Sequence, residues 1–531
     1  MVISWLSLLP ALIMLLCMLI TNHLNFSLFI GSVSAALIVS EGGINAAAIK
    51  LYERFFEQIT DINKLYLYAF LICISILIAL LNQSGSAIAF ARNIIHRLKS
   101  KKNVELSSMA LSSLLFIDDY LSNLTVGYVM RPMTDRFAIP RAKLAFLVHS
   151  LASPIVILAP ISSWTAMITL QLDQAGISSK LDSAKIIGEP FLVYLQAIPF
   201  VFYSFMIIGS ALFIVSRHIS YGPMQTHEQI AHTTGNLLGG KQAPHEPIMS
   251  SNAHGSAIDL ILPIFTLIMS VIVGILYFGG YHFFGGEQTF LGAIKNNNQT
   301  EFILFLSGII TIISAFALTL LHRTIQFKQS FSVIYAGIQA MIPSIIMIIL
   351  ASTLGVFLKD DLKTGTYLAQ TVLSAVPFSL LPCMFFFAAT IIALITGSAW
   401  GTIAILIPIE TQMLLSFTTA TLPCTIAEMP LLLPILGAIF SGAICGNQIS
   451  PISDTTIMAA TSSGSYPLDH ARTQFPYALP AIISTAVAFI VAGALISWGN
   501  TIAIFAAIST NLIGCVIMLT FLNKANTPTS K

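Results

Sequence analysis

The stretch 116-FIDDYLSNLTVG-127 places two adjacent aspartates, Asp118 and Asp119, between apolar runs. Only 9% of the 531 residues are charged, and no lysine or arginine lies within ten residues of the pair on either side. Carboxylates in apolar surroundings are costly unless something pairs with them. The pattern therefore predicts that Asp118 and Asp119 bind a cation or a proton.

The composition places this stretch in a membrane protein. Hydrophobic residues make up 56% of the chain and the mean hydropathy is +0.87, whereas a soluble globular protein carries about 25% charged residues. Apolar runs long enough to cross a bilayer recur from end to end, beginning with 3–20 and 24–40, which predicts a polytopic protein surrounded by lipid. A net charge of +2 without a long basic block excludes a nucleic acid as partner.

Two basic loops flank the aspartate pair. The block 92–102 holds five lysines and arginines, and the loop 131–143 holds four. Such loops favour the cytoplasmic side. If 106–130 crossed the membrane, the two loops would face opposite sides. If it turns back at the aspartates, each arm has about 12 residues, or about 18 Å, which is half a bilayer. The charges predict this re-entrant hairpin.

The chain also contains a weak internal repeat. The tripeptide Pro-Ile-Ser occurs in 160-PISSWT-165, after the aspartate hairpin, and again in 451-PISDTT-456. Upstream of the second copy lies 397-GSAWGT-402, a small polar segment between two apolar arms. Each half is therefore predicted to consist of membrane spans, a hairpin with a polar tip, and a helix that is broken at Pro-Ile-Ser. The two hairpins are predicted to enter from opposite sides, which makes the repeat inverted.

These patterns predict an all-α polytopic membrane protein with about 11–13 transmembrane helices in two inverted-topology repeats, with re-entrant hairpins and broken helices. A polar segment that holds five of the eleven histidines separates the halves and is predicted to be a flexible cytoplasmic linker. The predicted parts are the first repeat, 1–216, the linker, 217–257, the second repeat with an extra C-terminal helix, 258–523, and a tail, 524–531.

Orientation follows from the positive charges. With the hairpin topology, sixteen of the 24 lysines and arginines fall on the cytoplasmic side and eight outside. This two-to-one bias predicts an external N-terminus in a multi-pass protein of the inner (cytoplasmic) membrane.

Longer motifs resemble a known family. The runs 116-FIDDYLSNLTVGYVMRPMTDRFAIPRAKLAFLVHSLASPIVILAPISSW-164, 396-TGSAWGTIAILIP-408, 446-GNQISPISDTTIMAAT-461 and 469-DHARTQFPYAL-479 resemble the NhaC-type sodium/proton antiporter family of the ion transporter superfamily. The resemblance implies about a dozen helices, inverted repeats and exchange of Na⁺ for H⁺, whereas some relatives exchange carboxylic acids with Na⁺. It also implies a mobile transport unit that moves against a static scaffold in a homodimer.

The chain departs from the family pattern at two places. Leu121-Ser122-Asn123 follows Asp-Asp-Tyr where the family has Ala-Asn-Thr, and His149 precedes 150-SLASP-154 where the family commonly has aspartate. An imidazole in place of a carboxylate changes the charge of the predicted site. His149 is therefore a candidate proton carrier, because histidine titrates near neutral pH. The alternative is a neutral imidazole that packs and donates a hydrogen bond to a neighbouring helix.

The hairpin tips and the breaks supply the predicted ion- and proton-binding residues. Transported Na⁺ is predicted to bind Asp118, Asp119 and Asp454, since hard cations prefer oxygen ligands. Alternatives remain, because Asp454 could instead cap a helix and serines and threonines also pack helices in membranes. Trp164 and Trp400 are candidate walls of the site. The full predicted set is Asp118, Asp119, Ser122, Asn123, Ser162, Ser163, Thr165, Ser398, Ser453, Asp454, Thr455 and Thr456.

The predicted function is a secondary active Na⁺/H⁺ antiporter that exchanges cytoplasmic sodium for external protons and needs no cofactor beyond the transported ions. The alternative in the same class is a Na⁺- or H⁺-coupled exchanger of small organic acids. The alternative in a different class is an intramembrane enzyme, in which the buried aspartates would do acid–base chemistry. The chain lacks the Gly-x-Gly-Asp motif of aspartyl intramembrane proteases and the Gly-x-Ser-x-Gly nucleophile motif.

Overall fold

The computed structural model describes residues 5–21, 23–86, 89–90, 99–179, 184–242, 255–297, 299–373, 376–418 and 422–526. These residues are helical almost throughout. The helices of the first half and the linker are α1 (Leu9–Thr21), α2 (Leu24–Val39), α3 (Ile44–Thr60), α4 (Ile62–Ser84), α5 (Lys101–Leu114), α6 (Asp119–Arg136), α7 (Arg141–His149), α8 (Ala152–Leu158), α9 (Ser163–Gln174), α10 (Pro190–Ala197), α11 (Phe202–Arg217) and α12 (Gly222–Thr234).

The second half continues in the same style. Its α-helices are α13 (Ile258–Phe278), α14 (Phe290–Asn296), α15 (Thr300–Leu321), α16 (Phe327–Val356), α17 (Thr364–Leu373), α18 (Leu381–Thr396), α19 (Ala399–Phe417), α20 (Leu432–Ile449), α21 (Asp454–Ser463), α22 (Pro467–Leu495) and α23 (Asn500–Asn526). Short 3₁₀ turns occur at Trp5–Leu8, Ile198–Phe200, His282–Phe284, Phe378–Leu380, Ile426–Glu428 and Ile496–Trp498, and a π-turn at Phe357–Asp361 follows α16.

Eleven helical stretches among the described residues are long and apolar enough to cross a membrane, which confirms a multi-pass helical protein. α1 and α2 are shorter than this, with 13 and 16 residues. The apolar helices at these places, Trp5–Thr21 and Leu24–Val39, are slightly shorter than the eleven stretches, and the prediction that 3–20 and 24–40 cross the membrane stays a prediction. They form an antiparallel pair whose turn lies beside the middle of α16, as described below.

The first hairpin is present and consists of α5 and α6. Lys143, at the start of α7, forms ion pairs with Glu105 of α5 (3.0 Å) and with Glu228 of α12 (2.5 Å). Lys101, at the start of α5, lies 3.7 Å from the same Glu228. The open end of the hairpin and the loop after it therefore lie at the same end of the molecule, as the charge argument required. Residues 91–98 of the first basic loop lie outside the described residues.

The second hairpin consists of α18 and α19. The rings of Phe378, just before α18, and Phe417, at the end of α19, lie 4.7 Å apart, so both arms begin and end together. Gly397 ends α18 with a φ of 64°, a left-handed conformation that glycine adopts without a steric penalty. Ser398 then caps α19, because its side chain accepts a hydrogen bond from the Gly401 amide (3.1 Å). The tip is therefore a tight turn.

Both Pro-Ile-Ser segments interrupt helices, as predicted. The first lies between α8 and α9, and the second between α20 and α21. The first hairpin opens beside the start of α7, whereas the second opens beside the start of α20. The segment before α20 pairs with the strands that follow α9, so the two hairpins enter from opposite ends. This is the arrangement of an inverted repeat.

The segment predicted to be a flexible linker is partly helical. Its described parts are 217–242 and 255–257, and the first of them contains α12, which is fixed to the transmembrane helices through Glu228. Further along, Lys241 pairs with Asp469 of α22 (2.7 Å). Ion pairs to residues far away in the sequence, together with the buried side chain of Met224 in α12, thus fix this polar segment to the transmembrane helices. The second half also extends further than predicted, because α23 continues to Asn526.

A small parallel sheet joins the two halves. Its strands, each of two residues, are β1 (Ile177–Ser178), β2 (Ile186–Ile187) and β3 (Cys424–Thr425), in the order β1-β2-β3. The first two strands follow α9, and the third precedes α20. The backbone amide of Cys424 also donates to the Lys185 carbonyl (3.1 Å). Backbone hydrogen bonds therefore tie together the segments that hold the two broken helices.

Candidate functional site

A cavity of about 460 Å³ lies where the hairpin tips meet the second break. The turn between α1 and α2 and the middle of α16 complete its walls. Among the described residues that line it, none is a lysine or an arginine, and a single one, His23, is a histidine. Its polar lining includes Asp118, Asp119, Tyr120, Ser398, Asp454 and Thr455.

Asp118 and Asp119 lie at the tip of the first hairpin, each 4% exposed. Asp118 caps α6, because its Oδ1 accepts from the Leu121 amide (3.0 Å), and its Oδ2 accepts from the Ser163 hydroxyl (2.9 Å). Asp119 Oδ2 accepts from the Ser153 hydroxyl (2.7 Å). The broken helix of the first half thus supplies one hydroxyl donor to each carboxylate. Hydrogen bonds of this kind favour a charged carboxylate that is removed from water.

Asp454 brings the second half to the same cavity. It is the first residue of α21, and the N-cap position belongs to Ser453, whose side chain makes no capping hydrogen bond. Asp454 Oδ2 accepts a hydrogen bond from the Tyr120 hydroxyl, and its Oδ1 accepts one from the Thr455 amide (2.8 Å). The structure therefore contradicts the alternative in which Asp454 is the N-cap of this helix. Instead it joins the tip of one hairpin to the break of the other half.

The three aspartates share the cavity without forming one ligand set. In the described part of the chain, no three histidine, cysteine, aspartate or glutamate side chains converge closely enough to hold a metal ion together. The shared binding of Na⁺ by all three stays a prediction.

His149 lies behind the cavity wall, fully buried. Its Nε2 is 3.0 Å from Thr455 Oγ1, and its Nδ1 is 3.0 Å from Nε2 of His470 in α22. The Thr455 hydroxyl in turn donates to Asn447 Oδ1 (2.5 Å). A neutral imidazole has one donor and one acceptor nitrogen, so the chain of contacts can be satisfied without a charge. The structure thus connects His149 to the cavity through Thr455.

Five predicted residues have local partners that fix the backbone. Ser162 and Thr165 form a reciprocal capping box at the start of α9. Asn123 donates to the Asp119 carbonyl (2.9 Å), and Thr456 donates to the Ser450 carbonyl (2.8 Å). The Ser122 hydroxyl lies 3.5 Å from the Ser112 carbonyl. These side chains do not line the cavity, so they shape the tip and the breaks that carry the lining residues.

Three more predicted residues lie at the edge of the site. Ser163 reaches the cavity through its hydrogen bond to Asp118, and Ser453 through its contact with Thr455 (2.9 Å). Ser398 lines the cavity directly. Trp164 and Trp400 both line it and meet edge to face, with ring centroids 6.2 Å apart. Their contact joins the first half to the second hairpin.

Sequence reasoning missed several polar residues at or behind the wall, including four that contact predicted site residues. Tyr120 directly follows the aspartate pair, so its place in the motif was the available signal. Ser153 and Asn447 lie near the breaks, in 150-SLASP-154 and 446-GNQISP-451, but they were not distinguished from packing residues. His470 lies in the family-like run 469-DHARTQFPYAL-479, but nothing nearby in the sequence pointed to its partner His149, which is 321 residues away.

Comparison with known proteins shows which proteins the chain is similar to. A sequence profile of the Na⁺/H⁺ antiporter family matches residues 155–494. A relative from Haemophilus influenzae, described as an uncharacterized protein, is 30% identical over 513 residues, which cover 96% of this chain and 94% of the relative. The malate-2H⁺/Na⁺-lactate antiporter of Bacillus subtilis is 34% identical over 118 residues, or 21% of this chain and 22% of that protein.

Two solved transporter structures are similar to this chain, both with TM-scores below 0.5. The YdaH transporter of Alcanivorax borkumensis is 13% identical with a TM-score of 0.43, over 93% of this chain and 99% of that one. MtrF of Neisseria gonorrhoeae is 14% identical with a TM-score of 0.45, over 92% and 95%. At these scores the similarity does not establish a shared fold, so the assignment depends on the family profile. The profile spans more than half of the chain, including both breaks and the second hairpin, and the chain is therefore a secondary transporter that belongs to the Na⁺/H⁺ antiporter family.

Proposed function

We propose that the protein exchanges cytoplasmic Na⁺ for external H⁺ across the inner membrane. The observation that carries this proposal is the cavity with three carboxylates and, among its described lining residues, no lysine or arginine. Such a cavity attracts cations and repels anions. The hydroxyl groups of Tyr120, Ser398 and Thr455 add oxygen ligands of the kind that hard cations prefer.

The adjacent carboxylates explain why one site would serve two ligands. Asp118 and Asp119 disfavour the state in which both are charged, so either a proton or a cation on the pair relieves their repulsion. Groups this close titrate as a unit and not as two separate acids. A proton removes the charge that Na⁺ needs, and bound Na⁺ disfavours the proton. Competition of this kind couples the two fluxes when the site opens to each side in turn.

Two further elements belong to this proposal. His149 carries or relays a proton during the cycle, because Thr455 joins its ring to the cavity wall. The transport unit moves against a scaffold within a homodimer, as the family resemblance implies. Both points depend on the exchange activity and are secondary to it.

The test is ion-driven proton flux in proteoliposomes that contain a trapped pH-sensitive dye. An outward Na⁺ gradient should acidify the lumen in the presence of protein and leave empty liposomes unchanged. Steps through Na⁺, Li⁺ and K⁺ then give the selectivity. Proton flux that does not respond to any of the three cations would contradict the proposal.

A second candidate function is exchange of small organic acids coupled to Na⁺ or H⁺. The observation in its favour is the cavity volume, because about 460 Å³ far exceeds the roughly 30 Å³ that one water occupies. A single dehydrated cation would leave most of this space to solvent. The partial similarity to a malate-2H⁺/Na⁺-lactate antiporter points the same way. Uptake of labelled malate or lactate, with and without a Na⁺ gradient, tests this candidate in the same vesicles.

A further inference from the structure

The N-terminal helices form a third hairpin that reaches the cavity. The 3₁₀ turn Trp5–Leu8 and α1 together have 17 residues, and α2 has 16. Each arm is therefore about 25 Å long, less than the roughly 30 Å thickness of a bilayer core. The pair begins near α17, because Thr364 donates a hydrogen bond to the Ser7 carbonyl (2.9 Å).

The turn of this pair lies at the middle of α16. Asn25 Nδ2 donates to the carbonyl of Pro343 (3.4 Å), which lies near the centre of the 30 residues of that helix. Leu24 packs on the tip of the second hairpin, where a Cβ at Gly401 would lie 3.1 Å from its Cδ2 atom. His23, Leu24 and Asn25 all line the cavity. The turn therefore lies at the same depth as the hairpin tips.

His23 differs from the rest of the lining in its chemistry. Its side chain is exposed, and no hydrogen bond to its ring occurs among the residues that the structure describes. The other titratable groups that line the cavity are Asp118, Asp119, Asp454 and Tyr120. A carboxylate solute would be repelled by the aspartates but could accept a hydrogen bond from an imidazole N–H.

The apolar lining beside the turn suits a short carbon chain. Met18, Met341 and Met347 line the cavity together with His23. Methionine side chains are flexible and polarisable, so they adapt to solutes of different shape. The cavity thus has an acidic wall that suits a cation, a hydrogen-bond donor in His23, and an adaptable apolar surface.

We propose that the α1–α2 turn is a third wall of the transport site, and that His23 donates a hydrogen bond to the carboxylate of a small organic acid while the aspartates hold the coupled Na⁺. This inference depends on the second candidate function. The cation between the solute carboxylate and the aspartates offsets their repulsion, and the turn sets which acids the site accepts.

The test measures Na⁺-coupled uptake of labelled malate and lactate by the full-length protein in proteoliposomes. His23→Ala should raise the KM for the acid about tenfold to a hundredfold, as expected for one charge-assisted hydrogen bond. Its kcat should change less than its KM. His23→Gln keeps an N–H donor and should restore most of the affinity, whereas His23→Asp should lose acid uptake. His232→Ala, at an exposed position on α12, is the matched control and should leave KM unchanged.

The outcomes separate the inference from the function that it depends on. If the wild type shows Na⁺-driven proton flux but transports neither acid, the second candidate fails and the inference fails with it. If the wild type transports an acid and His23→Ala has the same KM, the second candidate stands and the inference alone is overturned. A raised KM in His23→Ala that His23→Gln does not correct would also overturn the role of the N–H donor.

Discussion

Removal of one charge from the cavity is the most direct test of the site. Asp119→Asn keeps the shape of the side chain, and the amide oxygen can still accept the hydrogen bond from Ser153 (2.7 Å in the wild type). A cation against this carboxylate would lie within about 4 Å of its charge. At an effective dielectric constant of about 20 that contact is worth about 4 kcal/mol. Because about 1.4 kcal/mol corresponds to tenfold in affinity, Na⁺ should bind about a thousandfold more weakly.

The assay is Na⁺-driven proton flux in proteoliposomes at matched protein content. Asp119→Asn should insert and fold, as judged by size-exclusion profile, yet show no flux at Na⁺ concentrations that saturate the wild type. Asp454→Asn should lose flux in the same way. The matched control is Asp135→Asn, which lies at the far end of α6 and pairs with Arg141 (3.2 Å) at a partly exposed position. Normal flux in the Asp119 variant, at an apparent Na⁺ affinity within threefold of wild type, would refute the reasoning.

The remaining predictions concern topology, His149 and pH. Single cysteines at Lys101 and Arg141 should be labelled from the same face of the membrane, and labelling from opposite faces would end the hairpin interpretation. His149→Gln should shift the pH dependence of exchange, and His149→Asp should strengthen cation binding. An unchanged pH profile and an unchanged apparent cation affinity in both variants would show that His149 only packs. Burial raises the pKa of Glu189 to about 7, so its charge destabilises the fold as pH rises from about 4.5 to 7. Glu189→Gln should therefore raise Tm in detergent at pH 8 and not at pH 5, and an equal Tm change at both pH values would refute this.

Local chemistry made the hairpins and breaks predictable. Two uncompensated aspartates and the basic loops around them required a turn at Asp118, and a repeated Pro-Ile-Ser indicated where two helices unwind. These signals lie within short stretches of sequence, because the cost of burying a charge or losing a backbone hydrogen bond is local. The same reasoning placed Asp118, Asp119 and Asp454 together, and the structure places all three around one cavity.

The parts that could not be predicted depend on distant contacts. The runs 3–20 and 24–40 have the hydropathy of ordinary spans, and the position of their turn depends on contacts to distant residues, such as that of Asn25 to Pro343, 318 residues away. The linker is polar, and its helix is fixed by contacts to distant parts of the sequence, among them the ion pair Lys143–Glu228 and the burial of Met224. His149 was identified by its place in the motif, but its partner His470 was not. Hydropathy and motif spacing carry no information about such pairings.

The three short strands have a mechanical consequence. β1 and β2 follow α9, β3 precedes α20, and backbone hydrogen bonds hold them together as a seam. A movement that pulled the two broken helices apart at this end would break the seam, whereas a tilt about it would not. The ends of the two broken helices at the seam should therefore stay together while the helices tilt about it. Widening of the cavity at the breaks should then follow this tilt, with the hairpin arms and the N-terminal pair, for which the described residues show no hydrogen bond to the sheet, free to move separately from it.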